Sequence, residues 1–365
     1  MADKIRLGFV GANVRSAWAS QSHFPALRAS PDVEMTAVCT TRPESAAEAR
    51  EAFGARFAYH DYREMVTSPE IDAVAVVVKV PEHYGPTKAA IEAGKHVYTE
   101  WPLGRNTAEA EELATLARAR GVQTVVGLQS RVSPTLGYVK ELLETGYVGE
   151  VLACHVSCMR DGALARPSSR TWQRDASLGA NTLTIANGHV IDALRYVAGN
   201  FSRVACVVST RAPQWFETDT QQMVDVTSPD NVLVSGHLVR GAVASVHVGA
   251  VPWAGGGYRM EIFGREGTLV VTGDVSSQRG QTLRLQGVQN GHTLADLDVP
   301  DRYVHVPADF PRGDPFNVGQ MYALFADAVR TGQNRLPTFA TAVELHHFLD
   351  AIQRSSDTKR EVSLD

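Results

Sequence analysis

A glycine-containing segment near the N-terminus has the residue types of a dinucleotide-binding turn. The corresponding pattern, G-x-G-x-x-G, lies between a strand and a helix, and Gly11 takes the place of its first glycine. Asn13 and Ser16 replace the second and third glycines, and the Asn13 side chain would crowd an approaching pyrophosphate. We expect Gly11, Ala12, Asn13 and Ser16 to bind NAD or NADP, although a purely structural turn would use the same residues.

The segment that follows the second predicted strand indicates which cofactor is preferred. An acidic residue at this position binds the ribose 2′-hydroxyl of NAD, whereas an arginine accommodates the 2′-phosphate of NADP. This chain has Thr40, Thr41 and Arg42 there, and no acid between residues 39 and 43. The pattern favours NADP, or tolerance of both cofactors. The competing interpretation is that Arg42 is a solvated loop residue.

Arginines are concentrated in one stretch of the middle of the chain, together with a tryptophan. The residues concerned are Arg160, Arg166, Arg170, Trp172 and Arg174. Guanidinium forks suit carboxylate, sulfonate or phosphate groups, and an indole ring stacks on the face of a sugar. These residues are therefore candidate ligands for an acidic sugar. The alternative is a solvated charged loop in which Asp161 and Asp175 are the partners of the arginines.

The first third of the chain alternates short apolar runs with helical patterns. The predicted strands are Ile5 to Val10, Val33 to Thr40, Ala73 to Val78, His96 to Thr99 and Thr124 to Gln129. The third of these is apolar throughout, as expected for a parallel strand that is covered on both faces. Such alternation predicts an α/β fold with a doubly wound parallel sheet, a Rossmann dinucleotide-binding domain, over residues 1–130.

The pattern changes near Val151, where β-branched residues begin to alternate with polar ones. From there to about Leu285 the runs predict an open, largely antiparallel sheet, interrupted by one helix from about Thr182 to Val197. The C-terminus is helical again over Asn317 to Arg330 and Thr341 to Arg354. We assign residues 131–365, including these helices, to a second α/β domain.

Composition excludes several classes of protein. Of the 365 residues, 44% are hydrophobic and 21% charged, which is typical of a globular protein, and the net charge of -5 provides no basic field for nucleic acid. The longest apolar run is too short to span a membrane, and the N-terminus lacks the apolar core of a signal peptide. The four cysteines form neither a disulfide framework nor a zinc pattern. We expect a cytoplasmic protein with reduced cysteines and no metal.

Several further motifs occur in a fixed order along nearly the whole chain. They are Val78-Lys-Val-Pro81-Glu-His83, Glu100-Trp101-Pro102, Leu128-Gln-Ser-Arg131 and Gly188-His189-Val-Ile-Asp192. Together with the glycine turn, they resemble the glucose–fructose oxidoreductase / inositol dehydrogenase / MocA family. Within it, the chain looks similar to the branch of the fungal galactose-pathway repressor. The resemblance implies a Rossmann domain, a second domain that holds the substrate on its sheet face, and a homo-oligomer, either dimer or tetramer.

The resemblance also implies roles for individual residues. The additional positions that match cofactor-binding motifs are Val80, Pro81, His83, Glu100, Trp101, Pro102 and Gln129. Arg131 is a candidate substrate ligand, with an ion pair to a carboxylate as its alternative role. The arginine-rich stretch corresponds to the part of the family fold that lines the substrate pocket.

Two of the acid/base groups usual in this family are replaced here. Typical members carry a lysine where this chain has Trp101, and often an aspartate where it has Ile185, so that only His189 remains. Oxidation of a carbinol requires a group that accepts the hydroxyl proton, a role that indole and an aliphatic chain cannot fill. His189 is the candidate base and Lys79 a candidate substitute for the lysine. The alternative interpretations are that His189 is a structural residue of a helix and that Lys79 is a solvated residue at the end of a strand.

Three functions fit these substitutions. The first is an NAD(P)-dependent oxidoreductase acting on an acidic sugar. The second is an NAD-dependent glycosidase that oxidises a sugar C3 transiently, eliminates the aglycone, adds water and returns the hydride. The third is a non-catalytic NAD(P)-sensing regulator, and the absence of a DNA-binding motif or basic arm disfavours direct contact with DNA. We expect a small-molecule sugar or glycoside as ligand, and neither nucleic acid nor membrane as partner.

Overall fold

The computed structural model describes residues 3–15, 18–162, 164–274 and 279–364. The chain divides into two compact units, of which the first comprises Met1–Val132 with Val304–Glu344 and the second Ser133–Tyr303 with Leu345–Asp365. The first break thus lies two residues beyond the predicted boundary at 130. Residues 304–344, which the sequence interpretation assigned to the second domain, cluster with the first unit.

A six-stranded parallel sheet forms the centre of the first unit. Its strands are β1 (Ile5–Val10), β2 (Val33–Cys39), β3 (Phe57–Tyr59), β4 (Ala73–Val76), β5 (His96–Glu100) and β6 (Thr124–Gly127), in the order β3-β2-β1-β4-β5-β6. Every residue of β4 is buried, because helices cover both faces of such a sheet. This arrangement confirms the predicted doubly wound Rossmann fold. The chain order reverses between β1 and β4, which is where open parallel sheets bind ligands.

Ten α-helices are present in the described residues. They are α1 (Phe24–Ala29), α2 (Pro43–Phe53), α3 (Tyr62–Val66), α4 (Tyr84–Glu92), α5 (Thr107–Arg120), α6 (Pro134–Glu144), α7 (Ser168–Thr171), α8 (Gly188–Ala198), α9 (Asp314–Thr331) and α10 (Phe339–Thr358). The Asn106 side chain accepts a hydrogen bond from the Glu109 N–H at 3.0 Å and caps the first turn of α5. No helix among the described residues is long and apolar enough to cross a bilayer.

The second unit is built on a nine-stranded sheet. Its strands are β7 (Val151–Arg160), β9 (Phe201–Ser209), β12 (Asn231–Leu238), β13 (Val243–Ala250), β14 (Gly257–Gly264), β15 (Gly267–Gly273), β16 (Leu283–Gln289), β17 (Ala295–Asp296) and β18 (Val362–Ser363). Neighbouring strands are antiparallel except for β7 and β13, which confirms the largely antiparallel sheet. One face is covered, as the buried Val156 and Val246 show, whereas the other face exposes Leu233 and its cross-strand partner Val207.

A second, three-stranded sheet was not predicted. It pairs β8 (Ala165–Arg166), β10 (Gln214–Glu217) and β11 (Gln222–Asp225) in the order β11-β10-β8. These strands have two to four residues each and are rich in polar side chains, so that no period-two apolar pattern marks them. The small sheet holds the backbone of Arg166 through the pairing of β8 with β10.

Candidate functional site

The turn after β1 requires a glycine. Gly11 has φ +93°, and a Cβ atom there would lie 2.1 Å from the carbonyl oxygen of Val77. The N–H groups of Gly11 and Ala12 both donate to the Cys39 carbonyl, at 3.0 and 3.3 Å, which ties the turn to the end of β2. Asn13 is exposed, and its Oδ1 accepts a hydrogen bond from the Arg15 N–H at 2.9 Å. Ser16 lies outside the described residues.

The end of β2 has the donor set that suits an adenosine ribose or its phosphate. Thr40 Oγ1 lies 2.7 Å from Ser45 Oγ and bonds the Arg42 carbonyl at 3.1 Å, so that this hydroxyl helps to shape the loop. Thr41 and Arg42 are exposed, and Arg42 precedes the first residue of α2. The loop between β2 and α2 thus offers hydroxyl groups and a guanidinium group and contains no carboxylate side chain. This set of groups is compatible with a dinucleotide that carries a 2′-phosphate.

His83 connects the loops that follow β4 and β5. The ring is buried, with Nδ1 2.7 Å from the Pro102 carbonyl oxygen and Nε2 3.1 Å from that of Val78. Burial lowers the pKa of His83, so that the neutral ring donates its single proton to one of the two carbonyls. His83 thereby holds Val80 and Pro81, which form a short 3-10 helix with Glu82.

The Glu100 carboxylate forms hydrogen bonds with several side chains inside the first unit. Its Oε1 accepts hydrogen bonds from Tyr98 Oη at 2.9 Å and Gln129 Nε2 at 2.9 Å, and lies 3.1 Å from His23 Nε2. Gly127 leaves room for the carboxylate, since a Cβ there would lie 2.7 Å from Oε1. Burial raises the pKa of Glu100. The hydrogen bond and charge of His23, together with the hydrogen bonds from Tyr98 and Gln129, lower this pKa by more than burial raises it, so that the net pKa lies below the ordinary value.

This polar cluster extends to residues that sequence reasoning missed. His23 lies at the end of a π-helix, Ala19–His23, and its Nδ1 is 2.8 Å from the Tyr322 hydroxyl of α9. The rings of Tyr98 and Tyr322 pack edge-on against the imidazole. Because Glu100 precedes Trp101, which is buried, the cluster fixes the segment that carries the replaced lysine position.

The two candidate acid/base residues occupy different environments. Lys79 is exposed and precedes the 3-10 helix Val80–Glu82 of the first unit. His189 is buried on α8 of the second unit, as is Asp192 one turn later. Ile185, at the replaced aspartate position, lies in a π-helix, Thr182–Asn187, that leads directly into α8. Such π-helical turns are frequent at functional sites.

Asn187 is a further polar residue near His189 that the sequence did not single out. Its side chain is fully buried, and neither its Nδ2 nor its Oδ1 makes a hydrogen bond within the described residues. Buried amides without partners are rare in native proteins, since each unmade bond costs free energy. Its signal in the sequence was only its position next to the Gly188–His189 motif.

The second unit brings three of the four arginines of the central stretch close together. Arg160 ends β7, Arg166 ends β8, and Arg170 lies in α7, four residues after Arg166. The guanidinium carbon of Arg166 lies 3.8 Å from the centroid of the Trp215 ring. Burial, together with the charges of Arg170 and Arg160, lowers the pKa of Arg166 to about 10. We call Arg160, Arg166 and Arg170 the arginine cluster.

The remaining residues of that stretch have other contacts. Arg174 Nη1 donates to the Asp225 carbonyl of the small sheet at 3.3 Å. Trp172 is partly buried in a 3-10 helix, Trp172–Arg174. Asp175, offered above as a partner of the arginines, accepts hydrogen bonds from the N–H and hydroxyl of Ser177 at 2.9 and 2.7 Å. These hydrogen bonds and, to a smaller extent, the charge of Arg174 lower the pKa of Asp175. Arg131 belongs to the first unit, in the 3-10 helix Gln129–Val132.

No group of three or more histidine, cysteine, aspartate or glutamate residues suited to a metal ion occurs in the described part of the chain. All four cysteines are free thiols. Burial raises the pKa of Cys154 to about 12 and that of Cys158 to about 11, which makes these thiols poor nucleophiles.

Comparison with known proteins identifies both units. Residues 5–128 match the family described as "Oxidoreductase family, NAD-binding Rossmann fold", and residues 134–273 match "Gal80p, C-terminal domain". A dehydrogenase of Aspergillus oryzae is 36% identical over 248 residues, which are 65% of this chain and 68% of that protein. The galactose/lactose metabolism regulatory protein of Kluyveromyces lactis is 28% identical over 318 residues, 79% of this chain and 68% of its own.

A solved structure shows the same fold over the whole length. Levoglucosan dehydrogenase in complex with NADH and L-sorbose has a TM-score of 0.86 and 23% sequence identity, covering 100% of both chains. The predicted family and its galactose-repressor branch are thus confirmed, as are the Rossmann fold and the NAD-type cofactor of the first unit.

Proposed function

Because the chain belongs to the glucose–fructose oxidoreductase / inositol dehydrogenase / MocA family of NAD-binding oxidoreductases, we propose that it oxidises or reduces a sugar derivative that carries an acidic group. The observation that supports the acidic group is the arginine cluster. None of Arg160, Arg166 and Arg170 forms an ion pair with a carboxylate in the part of the chain that the structure describes. Uncompensated guanidinium groups are suited to an anionic ligand.

In this proposal, His189 is the base for the reacting hydroxyl. NAD or NADP would be held by the turn of Gly11, Ala12 and Asn13 and would supply the acceptor for the hydride that leaves the carbinol carbon. An imidazole nitrogen of His189 takes the hydroxyl proton, so that the carbinol becomes a carbonyl. The unpaired amide of Asn187, two residues earlier, is a candidate for holding a substrate hydroxyl. Lys79 is the candidate for the second acid/base group, because Trp101 and Ile185 carry no group that exchanges protons at neutral pH.

Two alternative functions have specific support. The loss of the lysine and aspartate positions, with His189 retained, is compatible with a glycosidase in which His189 removes the acidified C2 proton and no net oxidation occurs. The match of residues 134–273 to the C-terminal domain of a regulatory protein supports a nucleotide sensor without catalytic activity. All three functions require binding of NAD or NADP.

The assay that separates these functions follows two products. The purified protein is incubated with NAD or NADP and with acidic sugars, their neutral counterparts or their aryl glycosides, while reduced nicotinamide and released phenol are recorded. An oxidoreductase produces reduced nicotinamide, and His189→Ala lowers that rate at least about 100-fold, whereas the exposed His292→Ala leaves it unchanged. Phenol without reduced nicotinamide would identify the glycosidase, and cofactor binding without either product the sensor.

The cofactor preference depends on Arg42 in our proposal. The Arg42→Ala protein should bind NADP about 10- to 100-fold more weakly and NAD almost normally, if the guanidinium contacts the 2′-phosphate. Isothermal titration calorimetry with both cofactors measures the two affinities. Equal losses for NAD and NADP would assign Arg42 to the shape of the loop alone.

The open face of the nine-stranded sheet supports the proposal of a homo-oligomer. Leu233 and Val207 are cross-strand partners on this face, and Val243 and Phe263 lie on the same face two rows away, beyond the row of Ser235 and Ser245. Their exposed fractions range from 38% for Phe263 to 56% for Val207. An apolar patch across several strands marks an interface more often than solvated surface. We further propose a cytoplasmic location, with neither nucleic acid nor membrane as partner.

A further inference from the structure

We infer that the arginine cluster binds a phosphoryl or diphosphoryl group that carries two negative charges in total, and that the substrate is therefore a phosphate ester of a sugar and not a uronate. This inference rests on the proposed function and narrows its acidic substrate to one class. The phosphoryl group could belong to a sugar monophosphate or to the diphosphate of a nucleotide-linked sugar, and the experiment below distinguishes these sources.

Backbone hydrogen bonds hold the cluster in place before any ligand binds. The strand that ends at Arg166 is paired along one edge with β10, since the Phe216 N–H donates to the Leu164 carbonyl at 2.8 Å and the Thr218 N–H donates to the Arg166 carbonyl at 3.0 Å. The Val251 N–H donates to the Arg160 carbonyl at 2.7 Å and anchors the end of β7. A site with a fixed backbone loses little conformational entropy on binding.

Neighbouring aromatic and amide groups orient the Arg166 fork. Its guanidinium lies over the Trp215 ring, and its Nη1 approaches Gln173 Oε1 at 3.4 Å. Trp215 is itself buried, and its indole N–H makes no hydrogen bond within the described residues. The stacked plane leaves the other edge of the guanidinium available for a planar, bidentate contact with ligand oxygens.

The carboxylates around the cluster are occupied by other donors. Glu217 accepts hydrogen bonds from the hydroxyls of Thr171 and Thr220. Asp219 accepts from the N–H and the hydroxyl of Ser168, at 2.7 and 2.6 Å. Cys158 and, more weakly, Asp161 favour the charged form of Arg160, and the Asp161 carboxylate forms no ion pair in the described part of the chain.

The charges therefore favour a dianion. Three guanidinium groups and the carboxylate of Asp161 leave an excess of two positive charges in the cluster. Burial and the mutual repulsion of the arginines lower the pKa of Arg160 and of Arg166. A uronate carboxylate brings one charge and two oxygens, enough for one guanidinium fork. A phosphate monoester brings close to two charges and three oxygens, which can be shared among three forks.

The test is a titration of the full-length protein with five probes. These are inorganic phosphate, a hexose 6-phosphate, a nucleoside-diphosphate hexose, a hexuronate and the free hexose. We expect the phosphorylated probe that corresponds to the true source to bind at least about ten-fold more tightly than the hexuronate. Its affinity should rise as pH increases from about 5 to 7.5, because the second ionisation of a monoester has a pKa near 6. A diphosphate has no such ionisation, so its affinity would stay constant.

Variants separate the cluster from the other arginines of the same stretch. Arg166→Gln should weaken binding of the phosphorylated probe about 10- to 100-fold and leave the free hexose unaffected. Arg174→Gln is the matched control, because Arg174 donates to the Asp225 carbonyl, and it should bind every probe like the wild type. Should Arg166→Gln fail to fold, the exposed Arg170→Gln serves the same purpose.

Two results would overturn the inference, and they differ in what they say about the proposed function. Equal affinity for hexuronate and phosphate, with both lost in Arg166→Gln, would reject the dianion but keep an acidic substrate. Affinities for all anions that do not change in Arg166→Gln or Arg170→Gln would show that the cluster is no binding site. His189-dependent reduction of nicotinamide by a neutral sugar would in that case still support the oxidoreductase.

Discussion

Two groups of polar residues, one in each unit, differ in how their charges are compensated. In the first unit, the Glu100 carboxylate is surrounded by His23, Tyr98 and Gln129, and its pKa is held low by these neighbours despite burial. In the second unit, the arginine cluster contains like charges, its nearby carboxylates are bonded elsewhere, and the pKa of Arg166 falls to about 10. The Glu100 carboxylate is compensated within the protein, whereas we propose that the arginine cluster gains its counter-charge from a bound anion.

The difference separates a carboxylate with partners inside the protein from guanidinium groups that have no ion pair with a carboxylate among the described residues. A polar group whose partners are all present stabilises the fold and need not contact a ligand. A partly buried charge without a counter-charge lowers stability, and native proteins retain such features mainly where function uses them. Sequence motifs placed Glu100 and the arginines in the same broad category of binding residues, whereas their surroundings separate them.

The largest effect on stability is expected when the Glu100 carboxylate is replaced. Glu100→Gln leaves His23 without its carboxylate partner and should lower the free energy of unfolding by about 3 kcal/mol. Urea denaturation followed by circular dichroism measures this change. Glu112→Gln is the matched control, because Glu112 forms an exposed ion pair with Lys88, and removing such a pair costs about 1 kcal/mol or less. Equal losses in both variants would show that the Glu100 cluster does not stabilise the first unit.

The same variant has an expected pH signature. The folded-state pKa of Glu100 lies below its unfolded value, so its contribution to stability is present above the unfolded pKa and is lost as pH falls through the folded pKa. Between about pH 5 and pH 3, the wild type should therefore lose stability more steeply than Glu100→Gln. Parallel stability curves for the two proteins over this range would contradict the depressed pKa.

A smaller loss of stability is expected when the Glu100 carboxylate is kept but the space beside it is filled. Gly127→Ala introduces a Cβ at 2.7 to 2.8 Å from the Glu100 carboxylate group and should destabilise the protein by about 1–3 kcal/mol. Gly256→Ala, where a Cβ meets nothing within 4 Å, should stay within about 0.5 kcal/mol of the wild type. Thermal unfolding compares the two variants. A neutral Gly127→Ala would mean that Glu100 can shift without loss of its bonds.

The smallest effect is expected in the arginine cluster, where a substitution should stabilise the protein instead of destabilising it. Arg170→Gln removes a like charge that acts on Arg160 and Arg166, and should raise the free energy of unfolding by up to about 0.5 kcal/mol. Differential scanning calorimetry, with Arg174→Gln as control, measures the change. A clear loss of stability in Arg170→Gln would show that the cluster is compensated within the protein, as the Glu100 group is.

The fold was largely predictable from the sequence, and the reasons are local. The apolar run at residues 73–76 indicated a strand covered on both faces, and Gly11 indicated the tight turn that its φ of +93° requires. The small sheet of β8, β10 and β11 was missed because its short polar strands have no periodic pattern. The placement of residues 304–344 in the first unit depends on packing of α9, which helical periodicity alone does not specify.

The candidate site was less predictable, because its contacts join distant parts of the chain. His23 and Glu100 are 77 residues apart, and His23 and Tyr322 are 299 residues apart. The motif Glu100-Trp101-Pro102 marked the position but not the partners. The sequence offered four arginines as equal candidates, and only the tertiary contacts place Arg174 against the Asp225 carbonyl.

The sequence by itself determined the parallel sheet, the cofactor-type turn and the family, because turn geometry and strand burial are set by neighbouring residues. The sequence also shows that no acid/base group is present at Trp101 and Ile185, because the ability to exchange a proton depends on residue type alone. Only the tertiary structure decided that Glu100 is compensated and the arginine cluster is not. Charge compensation depends on which side chains meet after folding, and a linear pattern does not record those distances.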